Sequence, residues 1–166
     1  MSDFDPETFM HQTVDKPLET DYTLVPEAEY QAFIDDFTHE AFEEFEFEYK
    51  RGPNAGQPGS MQKFNCPFVL ADEGVKTLMG RDKVTVIKPL TLNLKDGGLD
   101  WGKNKNVELG KIREAVGQNV ANQTWQIAQL RGAGPVMVKV IHRSGKRKDG
   151  SPFKVAEIDR VVRIAR

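Results

Sequence analysis

The segment Ser144–Pro152, SGKRKDGSP, sets Lys146, Arg147 and Lys148 among turn-forming residues, with Arg143 and Lys154 close on either side. Cations on a hairpin tip can follow a phosphate backbone, a contact that gives salt-dependent affinity for nucleic acid. The same residues also suit a solvated basic turn. A second candidate is Asp96–Asn106, DGGLDWGKNKN, where Trp101 stands near Lys103 and Lys105 in a Gly-rich stretch. Base stacking needs a π-face for the base and cations for its phosphates, and this stretch supplies both. The alternative for Trp101 is a loop anchor whose indole N–H bonds to backbone. Trp125 precedes an apolar stretch and reads as core.

A third candidate is Phe45-Glu46-Phe47-Glu48-Tyr49, which alternates aromatics with carboxylates. A strand would turn all three rings to one face and the glutamates to the other. Phe45, Phe47 and Tyr49 then form either a stacking platform or, as is commoner for such a trio, a core face. Lys50, Arg51 and Lys63 lie beside the Gly/Pro-rich run that follows and add cations to it.

Enzymatic patterns are weak. Glu48-Tyr49-Lys50 has the Glu-x-Lys spacing of half a metal-dependent nuclease motif, a tripeptide common by chance. Arg131-Gly132-Ala133-Gly134 lacks the Gly-Lys continuation of a phosphate-binding loop. Cys66 is the only cysteine and the three histidines are scattered, so neither an internal disulfide nor a zinc site is expected. The reading is a non-catalytic protein with no metal and no cofactor.

Charge is unevenly placed. Residues 1–49 hold fifteen Asp and Glu and one Lys, while residues 50–166 hold twenty-two Lys and Arg and ten Asp and Glu. The near-neutral total of −2 hides this division. It fits polyanion binding with an acidic arm, or two halves that complement each other within one fold. No apolar run approaches the ~20 residues that would span a bilayer. The acidic start lacks an apolar signal segment, so a cytosolic setting is expected.

These candidates need elements to hold them. Residues 1–27 have little periodicity and are interrupted by Pro6, Pro17 and Pro26, which predicts an extended acidic arm with one short turn near Pro6–Met10. Tyr30–Asp35 and Phe45–Tyr49 read as one kinked strand or a hairpin. Arg51–Ser60 reads as a loop. Met61–Leu70 and Lys83–Leu94 read as strands, with Pro67 and Pro89 marking edges or bulges. Asp72–Asp82 reads as a turn region. Asn106–Gly117 is the best helix, with an apolar stripe of Val107, Leu109, Ile112, Ala115 and Val116. Asn106 is placed to cap it and Gly117 to end it. A helical turn is expected within Thr124–Leu130, and strands at Pro135–His142 and Phe153–Ala165.

The order is that of a mainly β, five-stranded OB-like Greek-key barrel with one helix between strands three and four. The expected division is an arm at 1–27 and a barrel domain at 28–166. In such a barrel, the Arg51–Ser60 and Ser144–Pro152 loops would close over an oligonucleotide.

Several of these segments carry a resemblance. They are Val25-Pro26-Glu27-Ala28-Glu29-Tyr30, Gly98–Asn106, Leu109–Asn119, Leu130-Arg131-Gly132 and the closing Lys-rich hairpin. Together they resemble a family of small phage-encoded OB-fold single-stranded DNA-binding proteins found with replication and recombination genes. The resemblance spans roughly residues 25–165. It implies single-stranded DNA as ligand and the cytoplasm of a bacterial host as setting. Homo-oligomerisation is expected because one small barrel offers a short groove. The acidic arm is expected to compete with DNA or to contact other replication proteins. The alternative reading is a phage structural or assembly protein without a nucleic-acid role, and the nuclease is a distant third.

Overall fold

The computed structural model describes residues 4–15 and 23–164, so part of the predicted arm and the last two residues lie outside the described residues. The described residues form eight strands and three α-helices. The fold is mainly β, and five of the strands close into a hydrogen-bonded ring.

The first strand of the ring is interrupted. β1 (Ala28–Ile34) and β2 (Phe42–Glu48) both run antiparallel to β3 (Pro58–Leu70), β1 against its end and β2 against its start. The two therefore form one kinked strand rather than a hairpin with each other. Thr38 holds the kink by accepting the Glu40 N–H at the head of a short 3-10 turn. Pro67 faces this break. Its carbonyl accepts the Asp35 N–H at 2.9 Å, while its missing N–H falls where β3 lacks a partner strand.

β4 (Thr85–Leu92) pairs antiparallel with β3 and meets β8 (Pro152–Arg163) in a single parallel bridge, Ile87 to Glu157. By the alternation of the ladder, Pro89 turns its nitrogen toward β8 just beyond that bridge, where no pairing follows. β7 (Val136–Lys146) joins β8 to β1 and closes the ring. β2 lies at the sheet's end, outside the ring.

Alternation fills the interior. Tyr30, Ala32 and Ile34 of β1, Phe64, Cys66, Phe68 and Leu70 of β3, and Val136, Val138 and Val140 of β7 all point inward and are buried. α3 (Val107–Ala115) packs on β8 and adds Leu109, Ile112 and Ala115 to the same core. Its expected stripe is narrower than the sequence pattern, because Val107 is exposed and Val116 only partly buried.

Three expectations are corrected. The turn region at Asp72–Asp82 contains a helix, α2 (Glu73–Met79). Asp72 accepts the Val75 N–H at 2.8 Å, and Gly80 ends the helix in the left-handed region. Val75 and Met79, one turn apart, supply the inward face that short length concealed. A two-stranded β5–β6 hairpin (Leu94–Lys95 and Gly98–Leu99) then precedes α3; the short turn expected at Pro6–Met10 is the helix α1, so the described residues hold three α-helices where the barrel reading had one. Near the end of the expected arm, Val25 is buried and its carbonyl lies 2.7 Å from His142 Nε2, so this stretch packs on β7. Asn106 precedes α3 but makes no side-chain cap bond to it.

Cys66 is buried between Phe64 and Phe68 on the inner face, and burial pushes its thiol up to about 12. In the native state it should resist thiol reagents at neutral and mildly alkaline pH, and react only as fast as the ring opens. The unfolded thiol ionises first, so stability should fall as pH rises above the ordinary thiol value toward about 12. Timed alkylation with and without denaturant checks this. Rapid native labelling would mean that the ring opens locally at β3.

Candidate nucleic-acid interface

Two ribbons project from the ring. Pairing of β3 with β4 stops at Gln62 and Leu92, so Phe45–Glu48 and Pro58–Met61 pair only with each other. Pairing of β7 with β1 stops at Ala28 and Val140, and β8 meets β4 only at Glu157. Ile141–Lys146 and Pro152–Ala156 are therefore the second two-stranded ribbon.

The register sorts the first ribbon's side chains. Phe45 opposes Met61 and Phe47 opposes Gly59 on the outer face, while Glu44, Glu46 and Glu48 oppose Gln62, Ser60 and Pro58 on the other. The core reading of the aromatic trio fails for a simple reason: the ribbon has left the ring, so neither face has a core to enter. Phe45 and Tyr49 are 40% and 38% exposed, and Phe47 is partly covered by Tyr49 at a ring-centre distance of 4.9 Å. Gly59 makes this possible. A Cβ there would stand 2.7 Å from Tyr49 and 2.8 Å from Phe47, so only glycine lets both rings come this close to the backbone. Lys63, cross-strand from Glu43 and Thr91, continues the outer face onto the ring. Lys50 and Arg51 stand exposed in the turn.

The second ribbon is built alike. Phe153 covers Gly145, where a Cβ would meet the ring at 2.6 Å. Arg147 folds back over Phe153 and donates to the Pro152 carbonyl at 3.1 Å. Arg143 is held by Glu157 at 3.0 Å. Lys146, Lys148 and Lys154 are exposed and enter no ion pair among the described residues. The registers carry the turns at 49–57 and 147–151 to opposite ends of the strands. β3 begins where β4 ends, whereas β8 begins at the end where β4 begins.

Trp101 lies in a third place. It meets Trp125 edge-on at 5.8 Å, and the Arg113 guanidinium sits 5.6 Å from one ring and 4.9 Å from the other. Trp125 donates to Gln118 Oε1 at 2.8 Å, and Arg113 donates to the Gln118 carbonyl at 3.1 Å. Trp101 is thus both a packing element and a half-exposed ring. Lys103 and Lys105 are exposed beside it. Arg113 was not singled out by sequence, because its helical position shows nothing of the two indoles that reach it from separate loops.

Lys88 was also missed. It points into the ring with only 8% of its surface exposed. Its Nζ donates to the Asp159 carbonyl at 2.7 Å and lies 3.5 Å from Glu108 of α3. Among the described residues, no three His, Cys, Asp or Glu side chains converge as a metal site. Among the same residues, no helix is long and apolar enough to cross a membrane. No family model, no curated protein and no solved structure matches the chain.

Proposed function

We propose that this chain is a non-catalytic, sequence-tolerant single-stranded DNA-binding protein on an OB-like Greek-key barrel. Taking β1 and β2 as one interrupted strand, the ring order is first, second, third, fifth, fourth and back to first. A helix lies between the third and fourth strands, as an OB barrel requires. The observation that carries the reading is the row of Phe45, Phe47 and Tyr49 on the outer face, exposed at Phe45 and Tyr49, half-buried at Phe47 and continued by Lys63. Aromatic rings left partly in water on a two-stranded ribbon contribute little to folding, and stacked bases would cover them. Lys50, Arg51, Lys63, Lys148 and, on the α3 side, Lys103 and Lys105 supply cations for phosphates. The sequence resemblance adds the setting: phage DNA replication or recombination in a bacterial host.

Anisotropy of labelled oligo(dT) and of a duplex, at low and high salt, tests this. Oligo(dT) should bind more tightly than duplex and release steeply with salt. Phe45→Ala, Phe47→Ala and Tyr49→Ala should each cost about 1–3 kcal/mol, about fivefold to 150-fold in affinity. Lys63→Ala should flatten the salt slope by about 0.7 if that lysine meets one phosphate. No binding to either oligonucleotide removes nucleic acid as ligand and leaves the structural-protein reading. Deleting residues 1–22, which spares the buried Val25, should tighten binding at low salt if the acidic arm competes with DNA. Unchanged affinity would discard that role for the arm.

A further inference from the structure

The first ribbon has a second face, opposite the aromatic row. There Glu44, Glu46 and Glu48 stand in a row, all exposed, and none is in an ion pair among the described residues. Alternate residues of a strand repeat about every 6.6–6.8 Å, so the row is a regular line of negative charge. No chain segment among the described residues covers it.

The second ribbon carries the complement. Ser144 opposes Lys154 and Lys146 opposes Pro152, which puts Lys146 and Lys154 on one face as diagonal neighbours. Diagonal pairs across antiparallel strands are about 7–8 Å apart, close to the glutamate repeat. Arg143 and Arg147 are not on offer in the same way, since both are tied within their own ribbon.

We propose that copies of this chain associate head to tail, the Lys146/Lys154 face of one docking on the Glu44/Glu46/Glu48 face of the next. Two features select this over a symmetric pair. Joining β2 to β2 of another copy would set glutamates against glutamates, which is unfavourable. The two ribbon turns also lie at opposite ends of the strands, so each contact leaves one free ribbon at either end. Such heterologous contacts build rings or open filaments. The rings of Phe45, Phe47 and Tyr49 stay outside the contact, on the opposite face.

Sedimentation velocity of the full chain, without nucleic acid, tests the proposal independently of DNA binding. Wild type should self-associate with protein concentration and dissociate with salt. Glu44→Lys/Glu46→Lys/Glu48→Lys and Lys146→Glu/Lys154→Glu should each weaken association by about tenfold or more. Circular dichroism should show both variants folded. The decisive arm is the mixture. Each variant repels itself, yet together they offer Lys against Glu at both kinds of contact, so mixing should restore association. A wild type that stays monomeric at low salt overturns the proposal. So do variants that associate undiminished, or a mixture of folded variants that stays monomeric.

Discussion

Replacing Asn106 with Ala should lower the unfolding free energy by about 2–4 kcal/mol, near the upper end for a single substitution. In a chain of this size that is a fall in Tm of about 6–12 °C. Asn106 is only 3% exposed and has φ +49°, ψ +42°. Its Oδ1 accepts the Asn93 N–H at 2.9 Å, and its Nδ2 donates to the carbonyls of Asn93 at 2.8 Å and Asp100 at 2.9 Å. Its own N–H donates to Asn93 Oδ1 at 2.9 Å. This knot ties the loop carrying Trp101 to the head of α3. Alanine strands three part-buried backbone groups, each worth about 1 kcal/mol or more. It also pays the left-handed penalty that Asn tolerates, about 1 kcal/mol. Asn106→Gly should recover only that last part. Asn106→Asp keeps the size but aims an oxygen at two carbonyls, so it should also destabilise at neutral pH. Thermal melts of the three variants check the ranking. An alanine variant as stable as wild type would mean that the loop holds without the knot.

The second large effect is at Lys88. Lys88→Ala should cost about 2–4 kcal/mol, because it deletes a long stem packed inside the ring. Lys88→Met keeps the stem and removes the buried charge, so it should stay within about 1 kcal/mol of wild type. Denaturant titration separates the two. A Met variant as unstable as the Ala variant would show that the bond to the Asp159 carbonyl, rather than the stem, carries the position. Glu108 contributes less, since it is half-exposed. Its hydrogen bond from Lys111 is the largest influence holding its carboxyl below the usual range. The charges of Lys88 and Lys111 add to this, while burial opposes it. That contribution is present above the ordinary carboxylate value and is lost as pH falls through the lowered one.

Much of this was legible by parity. In KVTVIKPLTLNL the even positions from Val84 to Leu92 share a face, and Lys88 falls among them. Local alternation alone therefore places a lysine inside the ring. What it cannot supply is the Asp159 carbonyl, 71 residues on, that receives the ammonium. Asn106 shows the same division. An Asn ahead of an apolar helix reads as a cap. The structure instead gives it a left-handed backbone and a set of partners in the preceding loop, because a chain reversal there sets Asn93 beside it.

The chemically suggestive residues divide likewise. Sequence alone determined the mainly β character, the five long strands within a few residues, the best helix and the charge imbalance. Each of these depends on periodicity or composition within a short window. It also put Phe45, Phe47 and Tyr49 on one face of a strand, with Glu46 and Glu48 on the other. Whether that face met core or water was decided only by the tertiary structure. The deciding fact is where β4 stops pairing with β3: beyond Gln62 the ribbon has no third strand and no opposing layer. Parity also sets the aromatics opposite to Phe64, Cys66 and Phe68, on the outer face of the ring. Their exposure follows from that outer face, and the free line of glutamates behind them from the length of a neighbouring strand, neither of which a local pattern records.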